Sequence, residues 1–113
     1  MGKVEALGGF EQIVLLAIVR LSDAAYGSTI RDEIEERTAR SVAIGALYTA
    51  LDRLERKGYV SSVMSDPTPQ RGGRAKRYYR LRPAGAAALR RSHEALTSMW
   101  AGIEVEGLGR TRS

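Results

Sequence analysis

Residues 71–82 read RGGRAKRYYRLR, and this stretch decides the interpretation of the whole chain. It holds six basic residues, no acidic residue, a glycine pair and two adjacent tyrosines. The segment just before it, from Ile44 to Gly58, has the apolar spacing of an amphipathic helix. A short helix followed by a strongly cationic hairpin is typical of a winged helix that binds duplex DNA. The pattern therefore predicts a DNA-binding domain.

The charge distribution supports a polyanionic partner. The net charge is +5 and the pI is about 10.0. Residues 1–70 carry 8 Lys/Arg against 10 Asp/Glu, a balance of −2, whereas residues 71–113 carry 10 against 3, a balance of +7. Such asymmetry indicates a surface built for nucleic acid. A solvated basic face that only keeps the protein in solution is the simpler alternative.

Composition excludes several classes of protein. A chain of 113 residues has room for one domain, and it contains no cysteine for disulfides or thiolate metal sites. The longest apolar run, Ile13–Val19, is far short of a membrane span of about 18 residues. With one histidine and scattered acids, no nucleophile–base pair or metal cluster can be assembled. We expect a cytoplasmic, non-enzymatic protein without cofactor or metal.

The periodicity predicts a mainly α fold with a small β-hairpin. Helices are expected over about residues 10–21, 28–37, 41–57 and 83–104, and strands over 59–64 and 76–81. Ser41 is a suitable N-cap for the third helix, Gly58 a natural stop, and Pro83 a favourable first residue for the last helix. If Leu81 faces inward, strand alternation also places Tyr79 inward. The hairpin, about residues 66–77, would be the wing.

The third helix has two distinct faces. An apolar stripe of Ile44, Leu47, Leu51 and Leu54 is expected to face the core. The opposite side begins with small residues, Gly45, Ala46 and Thr49, which allow close approach to a groove floor. On its flanks, Tyr48 and Arg53 are suited to phosphate contacts.

The last helix carries a stripe that predicts dimerisation. Ala86, Leu89, His93, Leu96, Trp100 and Ile103 follow alternating spacings of three and four. This is a heptad seam of about two and a half repeats. Packing on its own domain accounts for part of the stripe, and a symmetric partner would cover the rest. We expect a homodimer in which Leu89, His93, Leu96, Trp100 and Ile103 lie at the interface.

Several motifs together resemble the PadR family of bacterial transcriptional regulators. They are Leu7-Gly8 with Glu11, Ala25-Tyr26-Gly27, the helix GALYTALDRLE of residues 45–55, Lys57-Gly58-Tyr59 and the hairpin GGRAKRYYRL of residues 72–81. The similarity covers roughly residues 7–100. The chain stops after one helix beyond the hairpin, so it resembles the short class of this family.

The resemblance implies a winged helix-turn-helix over residues 1–82, a C-terminal dimerisation helix over 83–106 packed on the same domain, and a flexible tail over 107–113. It further implies a repressor that binds a pseudo-palindromic operator, with the helix 41–57 in the major groove. The implied DNA contacts are Ser41, Gly45, Tyr48, Thr49, Arg53, Arg71, Gly73, Arg74, Lys76 and Arg77.

Two alternatives to a simple DNA-binding regulator remain open. The first is a winged-helix module that binds protein, for which an apolar or acidic wing would be expected. The second is a multidrug-type regulator that senses an aromatic effector between paired C-terminal helices, as some short members of this family do. In those members the aromatic residue corresponds to a position near Leu96, one turn before Trp100. These two residues are the candidate ligand contacts.

Overall fold

The computed structural model describes residues 7–65, 75–104 and 109–110, and it confirms the predicted fold class. The elements in chain order are helix α1 (Gly9–Leu21), a 3₁₀ turn (Ser22–Ala24), helices α2 (Gly27–Thr38) and α3 (Ile44–Arg56), strands β1 (Val60–Met64) and β2 (Arg77–Leu81), helix α4 (Pro83–Trp100), and two short strands β3 (Ile103–Glu104) and β4 (Gly109–Arg110). Three helices and a hairpin thus form a winged helix-turn-helix, followed by one long helix.

Helix α1 is the centre of the core. Val14, Leu15 and Ile18 are buried on the side that meets α2 and α3. The opposite side is not covered within the described residues, because Leu16 and Val19 are 50% and 49% exposed. Since apolar side chains favour burial, this uncovered strip of α1 is available to another surface.

Helix α3 begins later than the sequence predicted. Its N-cap is Ala43, so the prediction of Ser41 as N-cap is wrong. The reason is Val42, which is buried and donates its backbone N–H to the Glu35 carboxylate at 2.8 Å. This contact keeps the chain extended past Ser41 and leaves Ser41 exposed.

The core face of α3 also differs from the predicted stripe. Leu47, Leu51 and Leu54 are fully buried as expected, but Ile44 is 43% exposed. Val42 enters the core in its place, and Ala50 completes the buried face. The predicted inward position of Ile44 is therefore wrong, because Val42, just before the helix, fills the core at this end of α3.

Along β2 of the hairpin, buried and exposed side chains alternate as predicted. Strands β1 and β2 are antiparallel with Val60 opposite Leu81 and Ser62 opposite Tyr79. Tyr79 is buried, whereas Arg80 is exposed. The face with Ser62 and Tyr79 therefore turns toward α3. The tip of the hairpin, residues 66–74, lies outside the described residues.

Helix α4 starts at Pro83 as predicted and packs on the domain through its first turns. Gly85 lies so close to Tyr59 that a Cβ would overlap the Tyr59 carbonyl oxygen. The helix ends at Trp100, four residues before the predicted end at Glu104. Ile103 therefore lies in β3, which pairs with β4. None of the described helices is long and apolar enough to cross a membrane.

Candidate nucleic-acid interface

An open cleft of about 550 Å³ separates the outer face of α3 from strand β2. Its lining residues are Tyr48, Thr49, Asp52, Glu55, Arg77 and Tyr79. Three of the predicted DNA contacts, Tyr48, Thr49 and Arg77, thus line one surface. The arrangement juxtaposes a helix face that could enter a groove with the base of a basic hairpin.

The first half of α3 presents an exposed surface that includes small side chains. Gly45 and Thr49 are exposed, and no atom lies within 4 Å of the position that a Cβ on Gly45 would take. Tyr48 is 47% exposed, and its ring leans on the start of α2, where a Cβ on Gly27 would overlap the Tyr48 hydroxyl. Glycine at position 27 therefore leaves the space that the Tyr48 hydroxyl occupies.

Arg53 has an internal partner as well as solvent exposure. Its side chain is 54% exposed, and one guanidinium nitrogen lies 3.9 Å from the carboxylate of Glu11. Glu11 is buried and also accepts hydrogen bonds from the Gly8 backbone N–H at 2.9 Å and from Lys57 Nζ at 3.2 Å. The buried carboxylate joins the start of α1 to the end of α3.

Acidic side chains also line the cleft. Arg77 donates a hydrogen bond to Ser62 Oγ at 2.9 Å, and Ser62 donates to Glu55 Oε2 at 2.8 Å. Asp52 forms an exposed ion pair with Arg56 at 3.1 Å. These contacts orient Arg77 across the hairpin and place two carboxylates beside the surface that would meet DNA.

At the base of the wing, Lys76 is held by backbone and side-chain contacts. Its N–H donates to Ser65 Oγ at 3.0 Å, and its carbonyl accepts from the Ser65 N–H at 2.8 Å. Its ammonium lies over the ring of Tyr26, 5.1 Å from the centroid. The other predicted wing contacts, Arg71, Gly73 and Arg74, lie outside the described residues.

Burial changes the ionisation of one cleft residue. Tyr79 is 5% exposed, and desolvation by this burial raises the pKa of its phenol above the ordinary value of 10.0. Arg77 opposes the shift by favouring the phenolate, but burial is the larger effect. The Tyr79 phenol is therefore neutral at physiological pH and adds no charge to the lining of the cleft.

The predicted dimer residues fall along α4 and just beyond it. Leu89 is half-buried against the core, whereas His93 is exposed. Leu96 and Trp100 are 50% and 48% exposed. Ile103, 42% exposed, belongs to β3 and not to the helical stripe. The C-terminal half of α4 thus carries large apolar side chains that the described part of the chain does not cover.

Sequence reasoning missed Glu11 and Tyr26 as parts of this site. A signal for Glu11 existed, because it stands three and four residues before Val14 and Leu15, on the core-facing side of an apolar helix. A carboxylate at such a position needs a buried cationic partner. Tyr26 gave no comparable signal, since its contact with Lys76 joins two segments far apart in sequence.

Among curated proteins, none matches this sequence. Several solved structures are similar to it. A transcriptional regulator from Clostridium thermocellum is 26% identical with a TM-score of 0.67, over 79% of this chain and 81% of that one. A PadR family regulator from Clostridium difficile is 28% identical with a TM-score of 0.63, over 80% and 91%. RosR of H. salinarum is 25% identical with a TM-score of 0.65, over 90% and 84%.

A family model also matches most of the sequence. The model of the transcriptional regulator PadR-like family matches residues 15–91, a range that runs from α1 through α3 and the hairpin to the first half of α4. The resemblance identified from the sequence motifs is thereby confirmed. The chain belongs to the PadR-like family of transcriptional regulators.

Proposed function

We propose that this protein is a sequence-specific DNA-binding repressor that acts as a homodimer on a pseudo-palindromic operator. The observation that carries the proposal is the shared cleft, in which Tyr48 and Thr49 of α3 lie beside Arg77 of β2. A helix face and a basic hairpin on one surface can engage a major groove and the adjacent backbone together.

In this proposal the contacts divide into two kinds. Gly45 and Thr49 approach base edges, because their small, exposed side chains permit close contact with the groove floor. Tyr48, Arg53, Lys76 and Arg77 contact phosphates and set the position of the helix. Ser41, exposed before α3, and the tip residues Arg71, Gly73 and Arg74 complete the proposed surface. The role requires no catalytic group, cofactor or metal, and it implies a cytoplasmic location.

Dimerisation is supported by apolar surface on α4. Leu96, Met99 and Trp100 are exposed in the single chain, and a stripe of this kind is stabilised when a second copy covers it. Two copies also supply two recognition helices and two wings, as a palindromic site requires. Residues 83–106 would then serve as the dimerisation segment of a domain formed by residues 1–82.

The direct test is a binding selection from random duplexes, followed by a gel shift on the DNA upstream of the protein's own gene. A discrete complex that survives excess unrelated duplex, with two chains per site, is the expected result. In the same selection, Thr49→Ala should change the preferred sequence more than the overall affinity. Binding that shows no sequence preference would overturn the proposal.

A second role is favoured by the exposed Trp100. It lies one helical turn after Leu96 on the uncovered stripe of α4, so paired helices would present aromatic and aliphatic side chains to each other. We propose that a flat aromatic effector binds there. Trp100 fluorescence should be quenched by such compounds and DNA affinity should fall; unchanged fluorescence across a panel of planar aromatic dyes would exclude this role.

A further inference from the structure

The ring of Tyr26 is fixed where the helix-turn-helix meets the wing. Its backbone forms an antiparallel bridge with Tyr78, and the next strand residue, Tyr79, donates its N–H to the Ala25 carbonyl at 2.9 Å. The Tyr26 N–H donates to Thr29 Oγ1 at 3.0 Å at the start of α2. Backbone pairing on one side and helix capping on the other leave this residue little freedom.

Two side chains from the wing pack on this ring. The Tyr78 ring meets it edge-on, with centroids 5.2 Å apart and an interplanar angle of 64°. The Lys76 ammonium lies 5.1 Å from the Tyr26 ring centroid. An aromatic face attracts a cation at this distance because of the ring quadrupole. The Tyr78 ring therefore restrains the Tyr26 ring, and the Tyr26 ring restrains the Lys76 ammonium.

A lysine side chain is otherwise a flexible cation. It loses considerable rotamer entropy when it is fixed on a phosphate, and that loss weakens the contact. A cation that is already restrained in the free protein loses less of this entropy on binding. Lys76 directly precedes β2 at the base of the wing, and its side chain lies on the Tyr26 side of the hairpin, away from the cleft that Arg77 lines. Its restraint therefore concerns a phosphate contact made by the wing itself.

We propose that Tyr26 is a positioning residue for DNA binding, whose ring holds the Lys76 ammonium in place for a phosphate contact. The inference rests on the proposed function. It assigns to a residue of the helix-turn-helix an effect exerted through the wing. A purely structural role for Tyr26 is the competing explanation, and the two differ in whether the effect depends on Lys76.

A double-mutant cycle separates them. Affinity for an unrelated duplex is measured over a salt series for the wild type, Tyr26→Phe, Tyr26→Leu, Lys76→Gln and the double variant Tyr26→Leu/Lys76→Gln. Lys76→Gln should weaken binding about three- to tenfold and lower the salt slope by about one. Tyr26→Leu should reproduce part of both effects, while Tyr26→Phe, which keeps the ring, should match the wild type.

The decisive comparison is the double variant, which should bind as Lys76→Gln does because Tyr26 acts through Lys76. If the affinity losses of Tyr26→Leu and Lys76→Gln multiply in the double variant, the inference is overturned while the proposed function stays intact. A wild type that binds no duplex at any salt concentration would overturn both. The contact itself is checked by NMR in the free wild-type protein, independently of variant folding. The Lys76 ε protons should be shifted upfield of the random-coil values for lysine, and shifts that coincide with those values would contradict the contact.

Discussion

Lys57 Nζ lies 3.2 Å from each carboxylate oxygen of Glu11, and both side chains are largely shielded from solvent, with 16% and 7% exposed. The pair joins the first turn of α1 to the residue that caps the end of α3. A buried ion pair contributes little net stability compared with apolar packing, but the loss of one partner leaves an uncompensated charge. The position of α3 therefore depends on a carboxylate outside the proposed DNA contacts.

Glu11→Ala should lower the free energy of unfolding by about 3 kcal/mol, since Lys57, Arg53 and the Gly8 N–H would all lose the buried carboxylate that they share. Urea denaturation measures the change. Glu33→Ala is the matched control, because its pair with Arg37 joins more exposed side chains on one helix and should cost about 0.5 kcal/mol or less. Equal losses for the two variants would show that the buried pair has no special role.

Gly45→Ala should stabilise the protein and weaken its binding to DNA. The position is helical and open, so alanine should raise the free energy of unfolding by up to about 1 kcal/mol through its better helix propensity. The same methyl group would stand between α3 and the floor of the groove. Thermal melting and operator affinity are the two measurements. A variant that is more stable and binds the operator as tightly as the wild type would remove Gly45 from the proposed contacts.

Asp52→Asn should raise affinity for unrelated duplexes by about three- to tenfold at low salt, because it removes a negative charge from the cleft and releases Arg56 from its ion pair. Specificity for the operator should fall accordingly. Glu36→Gln changes the net charge equally at an exposed position of α2 that does not line the cleft. If both variants gain affinity to the same extent, total charge explains the effect and Asp52 has no local role.

Leu96→Glu should convert the proposed dimer into monomers. The substitution places a charge in the middle of the exposed apolar stripe on α4, and burying that charge against a second copy is unfavourable. Sedimentation velocity gives the mass directly. Glu94→Gln, an exposed change on the same helix, should leave the mass unchanged. A Leu96→Glu protein that still sediments as a dimer would place the interface elsewhere.

The raised pKa of Tyr79 predicts an alkaline dependence of stability. Because the folded pKa lies above the unfolded value near 10, folding favours the neutral phenol. The resulting stabilisation is fully present below pH 10 and is lost as the pH rises through the folded pKa. The free energy of unfolding of the wild type should therefore fall more steeply above pH 10 than that of Tyr79→Phe. Parallel curves would contradict this.

The sequence predicted the order of elements because each has a strong local signal. Gly58, with φ of 81°, follows the C-cap of α3 and stops the helix as expected, and Pro83 begins α4. The burial of Tyr79 on the inner face of β2 was predicted from strand alternation alone. Patterns of this kind depend on near neighbours in the chain, which the sequence displays directly.

The errors concern where α3 begins and where α4 ends. Ser41 is a good capping residue, yet α3 starts after Ala43 because Val42 is drawn into the core and bonded to Glu35. The predicted last helix included Ile103, but α4 ends at Trp100 and the chain turns at Gly102, where φ is 81°. At Ser41 the intrinsic preference of the residue is therefore weaker than tertiary packing, whereas the end of α4 coincides with a local glycine turn.

The bridge between Tyr26 and Tyr78 has a consequence for the kind of operator that the protein would select. It joins the wing to the turn before α2, so the separation between the hairpin and α3 is set before DNA arrives. Any difference between that separation and the groove spacing must then be absorbed by bending or narrowing of the duplex. Flexible base-pair steps that no side chain touches would in this way contribute to the choice of site.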